Sequence, residues 1–242
     1  MTQIPALVLT AGVGSRLRPL SDIRAKPAVP VAGPTMIERI LQWLTSQGIT
    51  HIVLNLHHKP ETITRIVGNG QHLGASIRYS WEDPILGSAG GPRKALALLE
   101  GNPILIINGD TLCRLDLPSL LEEHCQSGAK VSMALTTNPD PARYGGVLVN
   151  SDGTVTGFAP ARFPAPTLHF VGVQLVDRSV LAPLPLDVPL ETVNDVYPAL
   201  IAERRAEIRA VVRQAEFHDI GTVPSYFKVA RTLGRREGQP GT

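Results

Sequence analysis

Between Thr10 and Val31 the chain reads TAGVGSRLRPLSDIRAKPAVPV, which sets Gly12 and Gly14 two residues apart and follows them with Arg16, Arg18 and Lys26. Glycine reaches backbone conformations closed to other residues, so the N–H groups from Gly12 through Val13 and Gly14 to Ser15 can converge on one concavity. Guanidinium and ammonium groups beside such a concavity favour phosphate oxygens, and the pattern predicts a polyphosphate cradle. Two unit charges 4 Å apart attract by about 4 kcal/mol at an effective dielectric near 20, so two cations outweigh one adjacent carboxylate. Pro19, Pro27 and Pro30 stiffen the loop and reduce the ordering entropy lost when a ligand arrives. A G-x-G turn also opens dinucleotide-binding folds, but those want a small third residue where a helix closes on the strand. Here that position is Leu17, and no helix is expected to begin there.

Other residues that could do chemistry stand at the ends of apolar runs. Asp110 closes PILIINGD, and Asp219 lies in FHDIG. An aspartate after a strand ordinarily serves a turn or a cap. In EDPILGSAGG, Gly87 lets backbone approach a ligand and Ser88 is suited to capping a helix, while Glu82 is either solvated or an acceptor for donor groups on a base edge. Glu191 precedes VNDVYPAL, where a solvated loop acid and a hydroxyl-binding acid are both open readings.

These residues need elements to hold them. The runs IPALVLT, HIVLNL, ASIRYSW and PILIING read as strands, and they alternate with helical patterns at PTMIERILQWLTSQG, PETITRIVG and AGGPRKALALLEG. Strand and helix in strict turn predict a parallel sheet covered on both faces, with ligands beyond the carboxyl ends of the strands. The loop at Ala11 and the aspartate at Asp110 should therefore face one cleft. After about Ala129 the pattern shifts to strand-like segments, KVSMALTT, GGVLVNSDGTVTGF and TLHFVGVQLV. A helix follows at VNDVYPALIAERR, with Asp195 as its cap and Pro198 in its first turn, then strands EIRAVV and EFHDIG and a last helix VPSYFKVARTLG.

Composition narrows the function classes. With 242 residues, 43% apolar and 18% charged, the chain reads as globular. A formal net charge of +2 argues against a nucleic-acid or membrane surface, so an anionic partner must be held locally. The start MTQIPALVLTAG lacks the pattern of a secretory signal, and no run reaches the roughly 18 apolar residues of a membrane helix. Cys113 and Cys125 form no close pair, which fits a reducing, cytoplasmic compartment and no cysteine-held metal.

The stretch LTAGVGSRLRPLSDIRAKPAVPVAG closely resembles the signature of the sugar-1-phosphate nucleotidylyltransferases, also called nucleoside-diphospho-sugar pyrophosphorylases. LGSAGG, NGD, RYGGVLV and FHDIGT follow in the family's order. The resemblance implies an α/β fold: a three-layer α/β/α, Rossmann-like nucleotide-diphospho-sugar transferase with a mainly parallel mixed central sheet. It further implies one domain over 1–235, with a nucleotide-binding half at about 1–128, a sugar-binding half at about 129–235 and a frayed tail at 236–242. The implied reaction joins a nucleoside triphosphate to a sugar 1-phosphate and releases pyrophosphate. By the motif match Arg16 and Lys26 are catalytic, and Arg18 is a surface charge. Ala11, Gly12, Val13, Gly14, Ser15, Glu82, Gly87 and Ser88 bind nucleotide, and Asp110 and Asp219 hold Mg²⁺. Gly145, Gly172 and Glu191 approach the sugar, while His218 is structural.

The chain departs from the pattern where many relatives carry Glu-Lys-Pro. Here it reads APAR, with Arg162 as the candidate substitute. Short guanylyl- and uridylyltransferases are the nearest groups by motif. GTP with a mannose-type sugar is the leading expectation, UTP with N-acetylmuramate 1-phosphate the alternative, and a silent nucleotide-sugar-binding subunit the alternative of another class. A monomer or homodimer is expected, with neither a nucleic-acid nor a membrane partner.

Overall fold

Strands that are apolar on both faces need a helical layer on each side. The computed structural model describes residues 4–203, 207–214 and 217–237. Its elements run β1 (Ala6–Leu9), α1 (Leu20–Ile23), α2 (Met36–Ser46), β2 (His51–Leu56), α3 (Pro60–Val67), β3 (Ser76–Trp81), α4 (Gly87–Ala95), β4 (Ile104–Asn108) and β5 (Thr111–Cys113). The second half continues with α5 (Leu117–Ser127), β6 (Val131–Thr137), β7 (Gly146–Val149), β8 (Val155–Ala159), β9 (Leu168–Val176), α6 (Arg178–Leu181), α7 (Tyr197–Ala202), β10 (Ile208–Val212), β11 (Phe217–Asp219) and α8 (Val223–Glu237). Glu216, the 204–205 end of the helix expected at 193–205 and residues 238–242 of the tail expected at 236–242 lie outside the described residues, while 236–237 continue α8.

The main sheet has the order β10-β6-β9-β4-β1-β2-β3, and the β7–β8 hairpin joins it at β9. Strands β3, β2, β1 and β4 are parallel, as are β6 and β10, but β9 runs antiparallel between β4 and β6. The sheet is thus the expected mixed one. Two core clusters lie on its faces: Ala6, Val8 and Leu54 pack with Ile37, Ile40 and Ile63 of α2 and α3, while Leu7, Val53 and Ile106 pack with Ala89, Leu181 and Tyr197 of α4, α6 and α7. That is the three-layer α/β/α arrangement.

Helix α2 starts where its sequence dictates. The Thr35 hydroxyl accepts from the Glu38 N–H at 3.4 Å and the Glu38 carboxylate accepts from the Thr35 N–H at 2.7 Å, a reciprocal cap that seats Met36, Ile37, Ile40, Leu41 and Leu44 inward. Pro34 stands just before this cap rather than inside the first turn. Four elements are additions to the sequence reading, among them the four-residue helices α1 and α6. Helix α5 is capped by Asp116, whose carboxylate accepts from the Ser119 N–H at 3.2 Å. Strand β5 pairs antiparallel with β11 in a separate two-stranded sheet. The expected helix at 193–205 opens as a wide π-turn over Thr192–Val196, with α helix only from Tyr197. Asp195 lies inside that turn and is not the expected N-cap; its carboxylate accepts from the Glu191 N–H at 2.7 Å, and Pro198 falls in the first α turn.

Candidate active site

The loop after β1 is more ordered than proline punctuation alone suggests. Gly14 adopts φ 67°, ψ 32°, a left-handed conformation, and the Leu17 N–H then closes a 3₁₀ turn over Ser15–Leu17 by donating to the Gly14 carbonyl at 2.9 Å. Leu17 is fully buried and anchors the turn, which explains its size at a position where a dinucleotide fold needs a small residue. A Cβ on Gly14 would lie 3.2 Å from the Lys26 Cβ, so the loop folds directly onto the lysine stem. Ala11 is buried, whereas Gly12, Val13, Ser15 and Arg16 are exposed along the loop rim.

Lys26 is only 8% exposed, and its ammonium donates to Asp110 Oδ2 at 2.6 Å. This contact joins residues 84 positions apart and brings the two predicted ends, after β1 and after β4, to one place. The Gly109 N–H donates to the Leu9 carbonyl at 3.0 Å, and a Cβ on Gly109 would sit 2.5 Å from that oxygen; the close approach of the two strand ends requires glycine there. Asp219 lies across from Thr111 in the β11–β5 pair, and the Ile220 N–H donates to the Asp110 carbonyl at 3.2 Å. The two aspartates are therefore neighbours in space despite their separation in sequence.

A cleft of about 450 Å³ runs over these groups and is lined by Thr10, Ala11, Gly12, Arg16, Lys26, Asn55, Gly87, Ser88, Asn108, Asp110 and Glu191, among others. A larger cavity, about 770 Å³, lies between α2, β5 and α8 and contains neither Arg16 nor Lys26. On its floor Cys113 has its thiol pKa pushed up to about 12 by burial, so the thiol stays protonated and unreactive at neutral pH. Arg18 pairs with Asp22 at 3.1 Å on the surface, as expected of a bystander charge. Arg16 has no carboxylate partner among the described residues.

Three expected roles differ in the structure. Glu82 is buried at 4% exposure, and both its carboxylate oxygens are engaged internally, Oε1 by Asn55 Nδ2 at 2.7 Å and Oε2 by the Leu86 N–H at 2.8 Å. It holds the loop below Gly87 instead of facing a base, because its carboxylate is taken up by the Asn55 amide and the Leu86 N–H. Glu191 lines the cleft and accepts from the Ser88 N–H at 3.2 Å and from the Ser88 hydroxyl, so it clamps the Gly87–Ser88 loop. Ser88 is accordingly bound to Glu191 and does not cap α4, which has no side-chain cap at Leu86. Arg162 occupies an exposed turn at φ 65°, its N–H donating to the Pro141 carbonyl, and it does not line the cleft.

Of the two glycines expected near a sugar, Gly172 lies in β9 and Gly145 immediately precedes β7. Gly172 adopts φ 80°, and a Cβ there would meet the Asn108 Cβ at 2.9 Å, which places β9 directly behind the Asn108–Asp110 turn. Gly145 packs on the Ala159 carbonyl, where a Cβ would come within 2.7 Å. Its neighbour Tyr144 meets His169 at a 54° tilt with ring centroids 4.8 Å apart, and His169 stacks on Phe217 at 4.9 Å. Burial raises the Tyr144 phenol above its ordinary pKa, with Asp219 pushing the same way and Arg16 opposing; burial also lowers His169, against the pull of Asp219. This aromatic ladder, with Arg143 over the Tyr144 ring at 4.9 Å, borders the acids and was not read from the sequence. Asn55 was missed as well, although one polar residue inside the otherwise buried run IVLNL is a visible signal.

Comparison with known proteins places this geometry. The model of the nucleotidyl transferase family matches residues 5–236. A mannose-1-phosphate guanylyltransferase of Mycobacterium tuberculosis is 30% identical over 234 residues, which cover 96% of this chain and 65% of that protein. A UTP–glucose-1-phosphate uridylyltransferase of Synechocystis is 30% identical over 251 residues, covering 96% of this chain and 64% of that protein. The chain thus spans slightly less than two thirds of the length of these two relatives. The crystal structure of HddC from Yersinia pseudotuberculosis complexed with GMP-PN superposes with a TM-score of 0.84 at 24% identity, covering 96% of this chain and 100% of that one. At that identity the likeness shows the fold.

Proposed function

The chain belongs to the nucleotidyl transferase family, and from that premise we propose that it joins a nucleoside triphosphate to a sugar 1-phosphate, giving a nucleotide-sugar and pyrophosphate. The observation that carries the reading is the 2.6 Å Lys26–Asp110 contact, which unites the cation-rich loop after β1 with the acid after β4 in one cleft.

In this reading a phosphate oxygen of the sugar 1-phosphate attacks the α-phosphorus of the triphosphate in line, and the β- and γ-phosphates leave as pyrophosphate. The reaction needs positioning and charge neutralisation more than covalent help. The loop amides from Ala11 to Ser15 cradle the leaving phosphates, and Arg16, without a carboxylate partner among the described residues, neutralises them. Lys26 stands at the junction with Asp110, where the α-phosphate and the incoming phosphate meet. Gly87 and Ser88, clamped by Glu191, face the base.

Asp110, in the turn just before β5, and Asp219, on the β11 strand paired with β5, offer hard oxygen donors, a donor set that fits Mg²⁺. Among the described residues no group of three or more His, Cys, Asp or Glu is placed to hold a metal ion. When bound, Mg²⁺ would supply charge neutralisation for the phosphates.

GTP with a mannose-type sugar 1-phosphate is the favoured pair, supported by the mycobacterial relative's name and by the guanine nucleotide in the HddC complex. UTP is the second reading, because the cyanobacterial uridylyltransferase is equally identical. No helix among the described residues is long and apolar enough to cross a membrane.

Pyrophosphate release is the test, with GTP, UTP, dTTP, ATP and CTP each set against mannose, glucose, heptose and N-acetylmuramate 1-phosphates, in Mg²⁺ and again in EDTA. The expected result is highest kcat/KM for GTP with mannose 1-phosphate and no turnover in EDTA. Preference for UTP moves the assignment to the second reading. Nucleotide binding without turnover on any pair overturns the enzyme in favour of a binding subunit.

A further inference from the structure

Asn55 sits on β2, and β2 lies between β1 and β3 in the sheet. It is 2% exposed, and Glu82, just past the end of β3, is 4% exposed. Asn55 Oδ1 accepts from the Thr10 N–H at 2.7 Å, Asn55 Nδ2 donates to Glu82 Oε1 at 2.7 Å, and Glu82 Oε2 accepts from the Leu86 N–H at 2.8 Å. The Thr10 hydroxyl closes one end by donating to the Asn55 carbonyl. Buried polar groups are costly unless every one is satisfied, and here each finds its partner. Thr10 immediately precedes the loop at Ala11, and Leu86 immediately precedes Gly87 and Ser88. Gly91 of α4 stands over the pair, where a Cβ would come within 2.5 Å of Glu82 Oε1 and 2.9 Å of Asn55 Nδ2, so a glycine is needed to leave room.

We propose that Asn55 and Glu82 are positioning residues, a buried brace that fixes the phosphate-side loop relative to the base-side loop and thereby sets nucleotide affinity. The inference rests on the nucleotidyl-transfer reading of the cleft and assigns no contact with substrate to either side chain. Its polarity is specific. Glu82 presents two acceptors to two donors, so Glu82→Gln supplies one acceptor where two are required. Asn55→Asp sets two carboxylates across a 2.7 Å contact. The paired change reverses the middle hydrogen bond: the new amide donates to the new carboxylate, while the Thr10 and Leu86 N–H groups both keep acceptors.

The test uses the full chain and the nucleotide and sugar 1-phosphate pair that the wild type turns over. Each single variant should raise the nucleotide KM on the order of tenfold, as expected for unsatisfied buried partners, with the sugar 1-phosphate KM unchanged. The pair Asn55→Asp with Glu82→Gln should return the nucleotide KM close to wild type. Single variants with wild-type nucleotide KM, or both KM values rising together, would overturn the brace. If the singles fail to fold, the paired variant carries the test, and weak nucleotide binding in a folded paired variant overturns the proposal. If the wild type turns over no pair, the transfer reading fails by itself; titration of GTP or UTP onto the same variants then decides the brace, with unchanged affinity in the singles refuting it.

Discussion

Lys26 and Arg16 come from one loop, yet the fold treats them oppositely. Lys26 is buried and held by Asp110, so its removal would leave that partly exposed acid without its counterion and strip the packing around the lysine stem, disturbing structure as well as chemistry. Arg16 is exposed and pairs with no carboxylate among the described residues, so its charge is available to an incoming anion. Arg16→Ala should therefore lower kcat by about 10² while leaving the thermal midpoint unchanged, because the side chain acts on developing charge and not on packing. Steady-state kinetics beside a melting curve checks this, and a near-normal kcat would remove Arg16 from the chemistry. The glycines and cations of this loop were legible because their residue types carry the meaning locally. Glu82 was not, since whether a carboxylate faces a ligand or a buried amide depends on Asn55, 27 residues earlier and on another strand.

At the scale of elements, the base-side loop shows how one glycine can serve a whole helix start. Gly87 opens α4 at φ 76°, and a Cβ there would meet the Leu190 carbonyl and Glu191 Oε1, each at 2.6 Å. The Ala89 and Gly90 N–H groups donate to the same Leu190 carbonyl at 2.8 and 3.2 Å, so the loop and the 190 segment are docked face to face. Gly87→Ala should cost on the order of 1–3 kcal/mol through the positive φ and the clash, which for a domain of this size lowers the midpoint by roughly 2–4 °C per kcal/mol. Gly12→Ala is the contrast: its Cβ would meet nothing within 4 Å and its φ is not positive, so its midpoint should hold. Equal midpoints for the two variants would show that the docked segment yields freely. The alternating strands and helices of the first half were readable from periodicity. Strand β5 was not, because three residues make no pattern, and α5 was hidden by Pro118 in an 11-residue segment whose capping Asp116 was passed over. The antiparallel insertion of β9 follows from long-range pairing that no local pattern encodes.

For the whole molecule, that insertion decides how the two halves share stability. Strand β9, from the second half, is hydrogen-bonded to β4 on one side and β6 on the other. Both core clusters cross the same boundary: Leu105 and Ile107 pack with Val171, Val173 and Val211, and Leu7 and Val53 belong with Val131, Val176 and Tyr197. No half can lose its fold without exposing apolar surface of the other, so unfolding should be one cooperative transition despite the change of pattern near Ala129. A ligand held mainly by first-half loops should then stabilise everything. At a free concentration 100 times its Kd, a nucleotide bound to the native state adds about 2.7 kcal/mol, and at roughly 2–4 °C per kcal/mol the single midpoint should rise by about 5–10 °C. Calorimetry with and without the preferred triphosphate and Mg²⁺ measures this. Two transitions, with only the first-half one moving on nucleotide addition, would mean that β9 does not weld the halves and that residues 1–128 fold on their own.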